Sequence, residues 1–94
     1  MAEHFLFVRG EIDLASAPAL RADLRRVIAS DNDDVVVDCF DMTFMDMSGV
    51  RVLMWARGEL QARGRGFRIK HLRPTIQRIF DIVGVSVSLN VVLA

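Results

Sequence analysis

Short apolar runs typical of strands alternate along this chain with segments of helical periodicity, and that alternation limits the possible folds more than any other feature. Residues 35–39 form a continuous apolar run interrupted only by Asp38, which is typical of a strand covered on both faces. Residues 67–71 alternate strictly between apolar and polar side chains, which predicts a strand with one face in water. Residues 5–9 are rich in aromatic and β-branched side chains and predict another strand.

Helix signals fill the segments between those strands. Ser16 followed by Pro18 predicts a first helix with Ser16 as its N-cap. A loop is expected over residues 40–47, a second helix opening at residues 48–49, and a third helix over residues 74–84. The apolar residues at helical spacing are Ala17, Leu20, Leu24, Val27 and Ile28 in the first helix, and Ile76, Ile79, Phe80 and Val83 in the third.

This order of elements predicts an α/β fold with parallel strand pairs. We expect a single domain over residues 1–94, with a mixed sheet of about four to five strands and helices packed on it. Residues 10–13 read as a turn that could include a short extended piece. Residues 85–93 alternate with a period of two, which predicts a last extended segment. An apolar edge strand there would favour either self-association, as in a homodimer, or docking of another chain.

The composition excludes several classes of protein. The 94 residues allow one domain, and the 52% hydrophobic content argues against disorder. No apolar run approaches the roughly 20 residues of a membrane-spanning helix, and the start of the sequence lacks the basic segment of a secretory signal. The single cysteine, Cys39, can form neither an internal disulfide nor a zinc site. We therefore expect a cytoplasmic protein with no metal site and no insertion into a membrane.

The net charge of zero conceals an asymmetry along the chain. Residues 1–50 contain four basic and ten acidic side chains, whereas residues 51–94 contain eight basic and two acidic ones. One interpretation is an ordinary solvated surface on which the two halves meet. The other is an acidic recognition face for a basic partner. Direct binding to nucleic acid is not expected, because few aromatic residues lie among the basic ones and no known reader motif is present.

The sequence offers little for catalysis. Neither His4 nor His71 has a carboxylate or nucleophile at a telling spacing, and Cys39 ends a buried strand where a thiol is inert. The nucleophile-elbow motif, the dinucleotide-binding motif and the phosphate-binding loop are all absent. We expect neither an enzyme nor a bound cofactor.

One segment combines polar residues with a favourable position in the expected fold. Residues 41–50 lead from the end of a strand to the start of a helix, where ligands and partners contact open α/β sheets. The alternative interpretation is plain capping of the second helix by Asp46 or Ser48, which stabilises a helix by about 1 kcal/mol.

Three motifs in the right order resemble those of STAS domains, as found in bacterial anti-sigma factor antagonists. Residues 44–53 (FMDMSGVRVL) resemble the family's signature loop and helix, and residues 10–13 (GEID) resemble its turn after the first strands. Residues 73–85 (RPTIQRIFDIVGV) look like its third-helix motif. Together the motifs span roughly residues 5–89.

The resemblance implies a small α/β domain that binds an anti-sigma factor, often a serine kinase, and so releases a sigma factor for transcription. In that family the serine directly after the loop aspartate is phosphorylated, and phosphorylation ends binding. Here Met47 occupies that position and Ser48 follows it, so Ser48 is the candidate acceptor and the switch does not carry over directly. The sequence also stops at Ala94, short of the family's usual C-terminal helix.

A second interpretation is a STAS subunit that regulates a membrane transport complex, for which a phosphorylatable serine is not needed. For either function, we expect the partner-binding face to combine the turn near the first helix with the start of the second helix. Its expected members are Glu11, Asp13, Thr43, Asp46, Met47, Ser48, Gly49 and Arg51.

Overall fold

A computed structural model describes residues 2–92 and contains five strands and three helices within them. In chain order these are β1 (Glu3–Phe7), β2 (Gly10–Ile12), α1 (Ala17–Ser30), β3 (Asp34–Asp38), β4 (Met42–Met45), α2 (Met47–Ala62), β5 (Phe67–Lys70) and α3 (Pro74–Val83). The three strands and three helices expected from the main periodicities are all present, with ends shifted by one or two residues. The α/β expectation is confirmed.

The strands form two parallel sheets. One sheet has the order β1-β3-β5 and the other pairs β2 with β4, and every pairing within them is parallel. The second sheet continues the first, because the Val8 amide donates to the Asp38 carbonyl (2.9 Å) and the Gly10 amide to the Asp41 carbonyl (3.0 Å). The five strands therefore form two parallel sheets, one continuing the other along the strands, where the sequence suggested one mixed sheet.

The larger sheet packs one face against the core, and its other face is exposed at β1 but not at β3, where Val36 is fully buried, as expected of a strand covered on both faces. Leu6, Val37 and Ile69 lie in register across β1, β3 and β5; Val37 and Ile69 belong to the hydrophobic core, and the partly buried Leu6 packs against it. Their neighbours along each strand point the other way, as alternation in a strand requires. On that outer face Phe5 and Phe7 are exposed, and their rings stack with a distance of 6.3 Å between the ring centroids.

The helices bury unequal parts of their apolar faces. All five apolar positions expected of α1 are buried. In α3, by contrast, only Ile76 and Phe80 are buried, while Ile79 and Val83 are each more than 40% exposed. Only two of the four apolar residues that the sequence places on one side of α3 are therefore buried, because a short helix at the surface buries a narrower stripe than its pattern suggests.

Residues 42–45 form strand β4 where a loop was expected. The strand pairs with β2, with Glu11 beside Phe44 and Ile12 beside Met45. Its burial pattern, buried at both ends and exposed at the two central residues, does not alternate. The sequence did not predict this strand because its apolar and polar residues do not alternate; it forms because β2 lies beside it and pairs with it.

The extended segment expected over residues 85–93 is also wrong over the residues that the structure describes. Residues 86–90 form consecutive turns, in which the Leu89 amide donates to the Val85 carbonyl (2.8 Å) and the Val91 amide to the Ser86 carbonyl (3.0 Å). A single parallel bridge joins Val91 to Ile69 of β5. Leu93 lies outside the described residues. The edge strand on which the expected self-association or docking depended is therefore absent from residues 85–92.

Candidate partner-binding site

The carboxyl ends of β2 and β4 lie side by side and lead to the first turns of α1 and α2. The Asp46 amide donates to the Ile12 carbonyl at 3.0 Å, which holds the two strand ends together. The segment Glu11 to Asp13 and the segment 43–51 therefore meet at one end of the fold. This juxtaposition is the one expected from the parallel order of the elements.

Asp46 is the N-cap of α2. It has an extended backbone, and its carboxylate Oδ1 accepts a hydrogen bond from the Ser48 amide at 2.8 Å. The helix begins at Met47, so Ser48 lies inside the first turn. Of the two capping residues that the sequence allowed, Asp46 is the correct one. Among residues 2–92 the Ser48 hydroxyl has no hydrogen-bond partner, so it is not tied to a first-turn amide.

Gly49 allows the start of α2 to pack closely on the strand ends. A Cβ atom at this position would lie 2.7 Å from Met45 Cγ and 2.8 Å from Ile12 Cγ2, well inside van der Waals contact. Ile12 and Met45 are neighbours in register and both are buried. Gly49 is itself buried, so it shapes the site from beneath and presents no surface to a partner.

Asp13 is held in place by the turn that precedes α1. Its Oδ1 accepts hydrogen bonds from the Ala15 amide (2.9 Å) and the Ser16 amide (3.0 Å). The bond from the Ser16 amide is the main cause that lowers the pKa of Asp13 below its ordinary 3.8. Asp13 therefore carries a negative charge in a fixed orientation at neutral pH.

Ser16 stands at the N-cap position of α1 but does not cap it with its side chain. Its hydroxyl donates to the Glu11 carbonyl at 2.9 Å and accepts from the Asp13 amide at 2.9 Å. The serine therefore ties the end of β2 to the start of α1, which differs from the capping role expected from the sequence.

Two exposed apolar residues in the same region were missed by the sequence reasoning. Leu14 follows Asp13 and is 79% exposed, and Phe44 lies beside Glu11 in register and is 45% exposed. Met47, which was expected there, is 39% exposed. Leu14 could have been noticed, because an apolar residue in a polar turn has no core to fill. Phe44 could not be identified, because a loop is expected over residues 40–47 and strand β4 forms there instead.

These residues form one surface, which we call the end surface. It consists of Glu11, Asp13, Leu14, Thr43, Phe44, Asp46, Met47 and Arg51, with Ser48 half-buried among them. Apolar side chains with a charged border are the usual composition of a protein–protein contact. The surface contains three carboxylates and one guanidinium, so its net charge is negative.

The same region offers no reactive thiol. Cys39 is buried, and burial raises the pKa of its thiol to about 12. Within residues 2–92 no group of three or more His, Cys, Asp or Glu side chains is placed to hold a metal ion. No helix in the described part of the chain is long and apolar enough to cross a membrane.

Comparison with known proteins gives consistent results. A family model described as "Mlab, STAS domain" matches residues 2–93. Over 78 residues the chain is 31% identical to a protein named anti-sigma-B factor antagonist from Bacillus subtilis (strain 168), which covers 83% of this chain and 71% of that protein.

Solved structures are similar over nearly the whole chain. An anti-sigma factor antagonist from Mycobacterium paratuberculosis has a TM-score of 0.85 at 25% identity, covering 98% of this chain and 78% of that one. The anti-sigma factor antagonist SpoIIAA in its unphosphorylated form has a TM-score of 0.73 at 19% identity, over 98% of this chain and 80% of that one. The second likeness shows a shared fold.

Proposed function

The chain belongs to the STAS domain family, as its three sequence motifs predict, and from this membership we propose that it is an anti-sigma factor antagonist. The observation that carries the proposal is the 31% identity, over 83% of the chain, to a protein that bears that name. The negatively charged end surface, with exposed Leu14, Phe44 and Met47, supplies a place where a partner could bind.

In this proposal the end surface binds an anti-sigma factor of the serine kinase type in the bacterial cytoplasm and thereby frees a sigma factor. The protein acts by binding and catalyses no reaction. Asp13 and Asp46 are fixed by backbone hydrogen bonds, so they lose little conformational freedom when a partner binds. Apolar side chains supply the contact area, and the carboxylates select a partner with a basic surface.

Control by phosphorylation is the part of the family's behaviour for which this chain is least suited. Met47 has no hydroxyl group at the position where the resemblance places the phosphate. The Ser48 hydroxyl is not used for capping, so it is the nearest available acceptor. Ser48 is half-buried, however, and lies one residue further into the helix than Met47. We therefore propose that binding is constitutive. The alternative is a switch that acts through phosphorylation of Ser48.

The test is capture of the partner from the bacterium that makes this protein, followed by release of the sigma factor in a purified system. Asp46→Asn removes the charge but keeps a good N-cap, so it should fold normally and bind the partner more weakly. Asp33→Lys changes a carboxylate that precedes β3, at the opposite end of the sheet, and should bind like the wild type.

Recovery of an anti-sigma factor that releases RNA polymerase sigma factor when this protein is added would support the proposal. Recovery of a transporter ATPase through the same surface would overturn it in favour of a transport-complex subunit. If Asp46→Asn binds the partner as tightly as the wild type, the proposed function stands, but the end surface is not the site where the partner binds.

A further inference from the structure

A positively charged groove lies between α1 and α2, and none of the residues that line it belongs to the end surface. It has a volume of about 300 Å³ and is lined by Arg21, Arg25 and Ile28 of α1 and by Trp55, Glu59 and Arg63 on the α2 side. The lining residues extend over about two turns of each helix, so the groove is roughly 12 Å long. An elongated ligand fits this shape better than a compact one.

Two arginines approach the tryptophan that lines the groove. The guanidinium carbon of Arg21 lies 4.5 Å from the centroid of the Trp55 ring, and that of Arg25 lies 5.6 Å from it. Both distances fall within the range of a cation–π interaction. Both arginines are exposed, so their guanidinium groups are accessible to a ligand from solvent.

The charges of Arg21 and Arg25 are not neutralised by nearby carboxylates among the residues that the structure describes. Within residues 2–92 neither Arg21 nor Arg25 forms an ion pair, whereas Arg26 pairs with Asp23 and Arg63 pairs with Glu59. Arg21 and Arg25 are four residues apart on one helix, an arrangement in which like charges repel. A ligand that brings carboxylates to both would remove that repulsion.

The chemistry of the groove favours carboxylates over a flat aromatic ligand. The guanidinium groups already cover Trp55, so a nucleobase could stack there only after displacing them. Each guanidinium can instead donate two parallel hydrogen bonds to one carboxylate. Carboxylates spaced along a groove of this length are a property of an acidic polypeptide.

We propose that the groove between α1 and α2 is a docking site for an acidic segment of a partner polypeptide. No residue of the end surface lines this groove, so the two sites are distinct. The docking site therefore goes beyond the function proposed above. It would give the protein two contacts of opposite charge, one acidic and one basic.

Trp55 makes this proposal directly measurable, because the chain has one tryptophan and no tyrosine. The probe is a short peptide of Glu, Asp and Gly, compared with a peptide in which Gln and Asn replace the acids. At low ionic strength we expect a saturable change in Trp55 fluorescence with the acidic peptide only, confirmed by calorimetry. Because exposed charges are screened by salt, binding should weaken strongly as the salt concentration rises.

The variants separate the two arginines from the general charge of the helix. Arg21→Ala combined with Arg25→Ala should weaken binding by calorimetry about tenfold or more, since each removes a charged hydrogen-bond donor. Arg26→Ala removes an exposed arginine of the same helix that already pairs with Asp23, and should bind like the wild type. Asp46→Asn should also bind the peptide normally, which separates this test from that of the proposed function.

Three results would overturn the proposal: no saturable binding, equal binding of the amide peptide, or equal loss in Arg26→Ala and the double variant. Tighter binding of inorganic phosphate or of a single-stranded oligonucleotide, with displacement of the peptide, would reassign the groove to that ligand and would also overturn it.

Discussion

Three aspartates at strand ends each accept a hydrogen bond from the backbone amide of the residue two positions later in the chain. Asp13 follows β2 and accepts from Ala15, Asp38 ends β3 and accepts from Phe40, and Asp46 follows β4 and accepts from Ser48. Each carboxylate ends a strand and directs the next segment away from the sheet. Only Asp46 could be identified beforehand, because a cap before a helix has a sequence signature and the other two turns do not.

Asp38 should make stability depend on pH in the acid range. Burial alone would raise the pKa of Asp38, but hydrogen bonds from His71 and from the Phe40 amide outweigh it and lower the pKa below 3.8. A carboxyl whose pKa is lower in the folded state stabilises the protein above about pH 3.8. That stabilisation is lost as the pH falls through the lower, folded-state value.

Asp38→Asn should therefore be less stable at pH 7 by roughly 1–3 kcal/mol and should lose less stability than the wild type below pH 4. Urea unfolding at a series of pH values measures both. An equally steep loss of stability in the two proteins would show that Asp38 does not contribute to it.

Met47 allows a test of the proposal that binding by this chain is constitutive. Met47→Ser places a hydroxyl at the position where the resemblance expects the phosphate, and the phosphate would add about −1.5 to −2 charges. With the proposed partner of the serine kinase type and ATP, this variant should be phosphorylated and lose binding, while the wild type should keep it. Mass spectrometry locates the phosphate, and Met47→Ser combined with Ser48→Ala shows which hydroxyl accepts it. Rapid, stoichiometric modification of Ser48 in the wild type would contradict constitutive binding.

Among the elements, α1 was predicted most completely and β4 least. A helix of fourteen residues has five buried positions at helical spacing, and each reinforces the same pattern. Strand β4 has four residues and no alternation, and it exists because β2 offers it hydrogen bonds. Residues 85–92 failed in the opposite way, because an alternating sequence was folded into turns that bury Leu89 and leave Val87 92% exposed.

The two glycines of α2 have opposite surroundings. Gly58 is exposed, and a Cβ atom there would meet nothing within 4 Å. The close contact is at Gly49. Glycine in a helix lowers stability by about 1 kcal/mol relative to alanine when nothing opposes the added methyl group.

Gly58→Ala should therefore raise the free energy of unfolding by about 1 kcal/mol, and Gly49→Ala should lower it by roughly 1–3 kcal/mol through overpacking. Thermal and urea unfolding of both variants measure the difference. A destabilised Gly58→Ala would show that something packs against this face in solution, and a neutral Gly49→Ala would show that Met45 moves aside easily.

For the whole molecule, the sequence predicted where the candidate site lies but not all of what it contains. The parallel order of the strands brings Glu11 and Asp13 next to the start of α2, and that followed from topology alone. Leu14 and Phe44 were missed because their exposure depends on tertiary packing. The groove at Trp55 was missed because Arg21 and Arg25 meet that ring only once α1 and α2 lie together.

The distribution of charge over the fold predicts how association with a basic partner responds to salt. The end surface has three carboxylates and one guanidinium, and at 0.15 M salt such charges act over only about 8 Å. They should therefore affect the rate of encounter more than the lifetime of the complex. At low ionic strength, Asp46→Asn and Glu11→Gln should each lower the association rate constant by roughly a factor of 2 to 5. The dissociation rate constant should change little.

Asp13 is unsuitable for this test because its carboxylate also holds the turn before α1. The amide variants of Asp46 and Glu11 keep side-chain shape and remove charge alone, and Asp33→Lys at the opposite end of the sheet serves as the control. Stopped-flow measurements with the captured partner over a range of salt concentrations give both rate constants. If the end surface is where a basic partner arrives, the wild type and the two amide variants converge at high salt. Rate constants that differ equally at all salt concentrations would mean that the carboxylates contribute only short-range contacts, and unchanged rate constants would place the encounter elsewhere on the molecule.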